Sequence, residues 1–136
     1  EINKTKDSSW KDSYEFAPNR TITFNVLSLS TNNGKYIDSS GIIRELNASV
    51  EVRLVDSFGN VKFKATPSLG LNKIVILPNK VVYTTQNETK VFSLSYRYPL
   101  HLEFHAITSS LPSNNTKALE NANASLVVSD VTIGWV

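Results

Sequence analysis

The chain has no cysteine and no methionine in its 136 residues, only five glycines and five prolines, and no long apolar run. Without cysteine there is no disulfide framework and no thiol nucleophile or thiolate metal ligand. No apolar stretch approaches the ~20 residues of a membrane-spanning helix. The missing methionine, including an initiator, leads to the expectation of a processed fragment of a longer precursor. An excess of either charge is also missing. Fourteen Lys plus Arg against twelve Asp plus Glu leave a formal net charge of +2. These charges are scattered, so no basic stripe for nucleic acid is present and no nucleic-acid partner is expected.

What the chain does have is alternation. In Asn47–Asp56, Ala48, Val50, Val52 and Leu54 fall on one side, and Ser49, Glu51 and Arg53 on the other. A period of two suits a half-buried strand and not a helix. The pattern recurs in Thr21–Ser30, Val61–Ala65, Val81–Gln86, Lys90–Tyr98, Leu100–Thr108 and Ser125–Val136. In the last of these Val127, Val131, Ile133 and Trp135 are expected on one face. The fold class is therefore all-β: a single immunoglobulin-like sandwich of about seven strands. Thr31–Gly41 and Pro67–Asn72 read as loops. Ile42–Leu46 and Lys117–Ala122 read as short helical turns. Asp56–Asn60 reads as a hairpin turn with Gly59 at positive φ. Within Thr21–Ser30 the apolar phase changes from Ile22, Phe24 and Val26 to Leu27 and Leu29, which predicts a bulge or a switch between sheets near Val26–Leu27. Residues 1–18 form a mostly polar N-terminal extension ending at Pro18. Residues 19–136 form the sandwich domain.

No catalytic constellation emerges, and no cofactor is expected. No glycine-flanked nucleophile elbow surrounds any serine, and no glycine-rich phosphate loop exists. Asp56, Glu88 and Glu103 lack a recognisable acid–base partner. The fold and these absences argue against an enzyme. His101, Glu103 and His105 share one strand face and are weak candidates for a metal site. At ~3.3 Å per residue the two histidines lie roughly 13 Å apart, so one ion cannot bridge both. The alternative is the wet face of an amphipathic strand. Trp10, Tyr36 and Tyr83, if exposed, would form a sugar-stacking surface. Six Asn-x-Ser/Thr sequons occur, at Asn3, Asn19, Asn47, Asn87, Asn114 and Asn123. They suit N-glycosylation, or else coincidence in an Asn-, Ser- and Thr-rich chain.

The stretch Phe16-Ala17-Pro18-Asn19-Arg20-Thr21-Ile22-Thr23-Phe24 resembles the start of pilin domains assembled by the chaperone–usher pathway. These include the cysteine-free colonisation-factor and capsular-antigen subunits of enterobacteria. The resemblance implies a sandwich lacking one strand, completed by the N-terminal extension of a neighbouring subunit. Residues 1–17 would then be the donor, with Trp10, Tyr14 and Phe16 as its plugs. It also implies a fimbrial protein at the bacterial surface, with a role in adhesion to a host-surface glycan or protein. Its partners would be neighbouring subunits, a periplasmic chaperone and an outer-membrane usher. Asn3–Ser9 is more polar than such donors usually are, and Asp12 falls on the plug face. The extension is alternatively a strand of its own domain. Two other functions stay open: an N-glycosylated ectodomain of a eukaryotic secretory pathway, acting as receptor or assembly module, and a carbohydrate-binding module.

Overall fold

The computed structural model describes residues 2–5, 8–11, 16–95, 99–112 and 116–136, with backbone alone for 2–5 and 8–11. The chain is all-β, and among the described residues no helix occurs. The described residues form thirteen strands: β1 (Ile2–Thr5), β2 (Ser8–Lys11), β3 (Arg20–Asn32), β4 (Gly34–Ile37), β5 (Ile43–Leu46), β6 (Ala48–Asp56), β7 (Val61–Ala65), β8 (Gly70–Ile76), β9 (Lys80–Thr84), β10 (Thr89–Ser93), β11 (Leu100–Thr108), β12 (Lys117–Glu120) and β13 (Asn123–Trp135). Two antiparallel sheets enclose the core. One runs β1-β13-β3-β8-β9-β10 and the other β2-β11-β6-β7. A small third sheet runs β12-β4-β5.

The strand count exceeds the expected seven because short strands need not alternate. Five of the thirteen are only four residues long. The two expected helical turns are corrected: Ile43–Leu46 and Lys117–Glu120 are strands, both paired to β4. The loop expected at Thr31–Gly41 contains the end of β3 and all of β4. Asp38 explains this hairpin. Its carboxylate accepts hydrogen bonds from the Ser40 and Ile42 amides at 2.8 and 3.0 Å, and from Arg44 Nε at 3.0 Å. Those bonds from Ile42 and Arg44 hold its carboxyl below the ordinary carboxylate value. Gly34 allows the third sheet to sit close. A Cβ there would lie 2.5 Å from both Glu120 O and Ala122 N. The loop expected at Pro67–Asn72 is shorter than that, because β8 already begins at Gly70.

Alternation builds the core as the sequence suggests. Val50, Val52 and Leu54 from β6, and Leu100, Leu102, Phe104 and Ala106 from β11, face Ile22, Phe24, Ile74 and Ile76 of the opposite sheet. All eleven are at most 1% exposed. The bulge near Val26–Leu27 is present: Val128 pairs with Val26 and Val127 with Ser28, leaving Leu27 without a partner residue. A second irregularity on β13 was not foreseen. Ser129 pairs with Asn25 and Thr132 with Thr23, so two residues face Phe24 alone. Asp130 takes φ 54 there, a left-handed conformation that Asp tolerates better than most residues. This corrects the face expected for β13. Leu126 and Val128 are buried, Val131 and Ile133 pack against the same core, and Val127 belongs to the other side. Trp135 is exposed, with the Arg20 guanidinium 3.7 Å from its ring centre.

Candidate functional site

The N-terminal segment lies along one lateral side of the sandwich and supplies an outer strand to each sheet. β1 pairs antiparallel with β13, placing Ile2 opposite Val128 and Lys4 opposite Leu126. β2 pairs antiparallel with β11, placing Ser8 opposite Ala106 and Trp10 opposite Phe104. β13 has β3 on its other side and β11 has β6, so each would become a sheet edge without this segment. In the stretches of β11 and β13 paired with this segment, Phe104, Ala106, Leu126 and Val128 are all 0% exposed. The chain then meets the body at Phe16, whose ring is completely buried. Its amide donates to Leu100 O at 2.7 Å, and its carbonyl accepts from Leu100 N at 3.1 Å.

Of the three expected plugs, Phe16 is therefore in the core of its own chain. Trp10 stands opposite Phe104 in the register of β2, and Tyr14 lies outside the described residues. The pairing occurs within the chain. Backbone pairing needs no apolar side chain, which is why a polar stretch such as Asn3–Thr5 forms a strand at all.

On the outer face of the second sheet, His105 Nε2 lies 2.7 Å from Glu103 Oε1. Arg53 Nε donates to Glu51 Oε2 at the same distance. In register, Glu103 stands opposite Arg53 and His105 opposite Glu51. His101 lies further along β11. Among the described residues, no three His, Asp or Glu side chains gather as a metal-binding group. The arrangement is a row of paired polar side chains on a half-buried strand face. Tyr83 is removed from any sugar-stacking surface, because it is buried and its hydroxyl donates to Asn72 Oδ1. Tyr36 is half-buried. Burial pushes the Tyr83 phenol far above its ordinary value, reinforced by the Glu88 charge. Four sequon asparagines, Asn19, Asn47, Asn87 and Asn123, are exposed. The side chain of Asn3 and all of Asn114 lie outside the described residues.

Sequence reasoning missed a groove on the opposite lateral side, between β7 and β10. Its first part, about 590 Å³, is lined by Arg53, Val61, Lys62, Phe63, Lys64, Phe92 and Ser93. It continues into a smaller part of about 270 Å³ that reaches Glu51 and Lys90. The signal available was the alternation of Lys62 and Lys64 with Phe63, which reads equally as an ordinary amphipathic edge. No family model matches this chain, and no curated protein matches it.

Proposed function

We propose that the chain is an exported structural or adhesive subunit that assembles by strand exchange, with residues 1–18 as the exchangeable element. One observation carries the reading: a single N-terminal segment provides the outer strand of both sheets beside a fully apolar core. Such a strand is held chiefly by backbone pairing, so an identical segment from another copy satisfies the same hydrogen bonds. Intramolecular pairing is then the resting form of a single subunit, and a chain of subunits forms when each segment moves to its neighbour. A periplasmic chaperone and an outer-membrane usher would act on the edges of β11 and β13 during that transfer, and the assembled subunits would stand at the surface of a Gram-negative bacterium.

The test compares the full chain with one beginning at Asn19, by thermal melting and size-exclusion chromatography. The shortened chain is expected to melt lower, and a peptide of residues 1–18 added in trans is expected to restore its stability. A shortened chain that melts like the full one and ignores the peptide overturns the reading.

The exposed Asn19, Asn47, Asn87 and Asn123 favour a second reading, a glycosylated ectodomain of a eukaryotic secretory pathway. Intact mass of the native protein separates the two. Glycan mass on these asparagines sinks the bacterial reading, and an unmodified mass removes the motive for the second.

A further inference from the structure

We propose that the groove between β7 and β10 is a docking site for an extended acidic polypeptide segment, which adds as a strand to β10. The argument is independent of strand exchange on the other side of the molecule. β10 ends its sheet, pairing with β9 and with nothing on its other side among the described residues. It is regular over Thr89–Ser93, and Val91 is 63% exposed. An unpaired, straight edge offers a row of backbone donors and acceptors to an incoming strand.

β7, facing it across the groove, is built differently. Leu54 pairs with Phe63 and Val55 with Val61, so Lys62 is an extra residue in a bulge. A bulge and lysines are both ways of closing an edge to pairing. β7 thus lines the groove as a wall and β10 offers the open edge. The floor is apolar. Phe63 meets Phe92 edge to face, with ring centroids 5.1 Å apart.

Charge decides what fits. Four cations, Arg53, Lys62, Lys64 and Lys90, line the groove against one carboxylate, Glu51. Glu51 is already engaged by Arg53 at 2.7 Å, and Lys90 lies 3.3 Å from Glu88. Lys62 and Lys64 form no ion pair among the described residues. The groove therefore holds more net positive charge than the whole chain, whose balance is +2. That excess disfavours a second copy docking edge to edge, because it would bring two basic grooves together. It favours an acidic strand. On β10, Lys90 and Phe92 both line the groove, at a spacing of two. The fitting segment carries, at the same spacing, an acidic side chain opposite Lys90 and an apolar one opposite Phe92.

The probe is a synthetic peptide of alternating Thr and Val with Glu at every fourth position, titrated into the full chain. Its mirror in charge, with Lys replacing Glu, is the control. The Glu peptide is expected to bind saturably and to slow amide hydrogen exchange within Thr89–Ser93. In the Lys62→Glu/Lys64→Glu variant the preference is expected to shift by about tenfold or more toward the Lys peptide. Absence of saturable binding overturns the proposal. So does binding that leaves β10 exchange unchanged. Saturable binding of a sulfated oligosaccharide, with none of the peptide, assigns the groove to a glycan instead. The exchange measurement on the parent chain decides the matter even where the double variant does not fold.

Discussion

Phe24 and Phe104 meet edge to face across the two sheets, with ring centroids 5.0 Å apart and planes at 78°. One belongs to β3 and the other to β11, the strand that also carries β2. This contact couples the centre of the core to the edge covered by the N-terminal segment. Phe104→Ala empties a fully buried site and is expected to cost about 3–5 kcal/mol in denaturant unfolding. Phe104→Leu, which keeps most of the volume, is expected to cost less than half of that. Equal losses for the two would show that the aromatic contact, and not the filled space, is what matters.

Asn72 is a fully buried amide. Its Nδ2 donates to Ser68 O at 2.8 Å and to Gly70 O at 3.0 Å, while its Oδ1 accepts from the Tyr83 hydroxyl. Asn72→Ala leaves that hydroxyl buried without its acceptor, for a loss of about 1–3 kcal/mol. Adding Tyr83→Phe to it is expected to recover part of the loss, and a double-mutant cycle measures how much.

Gly34→Ala is expected to destabilise by about 1–3 kcal/mol through overpacking. The atoms in the way are backbone, Glu120 O and Ala122 N, and not movable side-chain tips. The damage is expected to be local, so hydrogen exchange should accelerate in β4 and β12 before it does in β6 or β11.

Asp56 makes the β6–β7 turn sensitive to acid. Burial pushes its carboxyl up, but hydrogen bonds from the Asn60 amide and side chain and from the Phe58 amide outweigh that, helped by the Lys62 charge. The net result is a value below the ordinary one. A lowered folded-state value means that the ionised form stabilises the fold above about pH 4, and that this contribution is lost as pH falls through the lowered value. Urea midpoints measured from neutral pH downward should therefore drop on the acid limb. In Asp56→Asn the drop should be shallower, and an unchanged slope would show that other carboxylates dominate.

The sandwich was legible wherever one strand face is buried and the other wet. In β6 and β11 the inward faces Val50–Leu54 and Leu100–Ala106 follow from alternation alone, whereas Val55 and Asp56 are buried at the end of β6 outside that alternation. The loop expected at Pro67–Asn72 takes in the start of β8 because Asn72 looks like a loop residue. The local carbonyls of Ser68 and Gly70 and the Tyr83 hydroxyl across the sheet make it an inward one. β4, β5 and β12 were illegible for a different reason: their order rests on pairing with each other and on Asp38, not on any apolar face. The N-terminal segment was recognised as separate, but its pairing with two sheets at once is a matter of backbone, on which side-chain pattern is silent. The basic groove was hidden because its walls come from strands distant in the sequence.

The paired irregularities of β3 and β13 have a consequence for how this sequence can change length. Between the pairs Thr23–Thr132 and Ser28–Val127, residues 23 to 28 on one strand match residues 127 to 132 on the other in number. The two bulges cancel, and the ladder keeps one register on both flanks, offset only in between. Loss of Leu27 alone, or of Asp130 alone, would throw one flank out of step, and a one-residue slip turns a strand's faces over. Loss of both would leave an unbroken alternation, with Val26 and Leu29 inward on β3 and Val128 and Val131 inward on β13. Among divergent relatives of this chain, gaps at these two positions should therefore arise together.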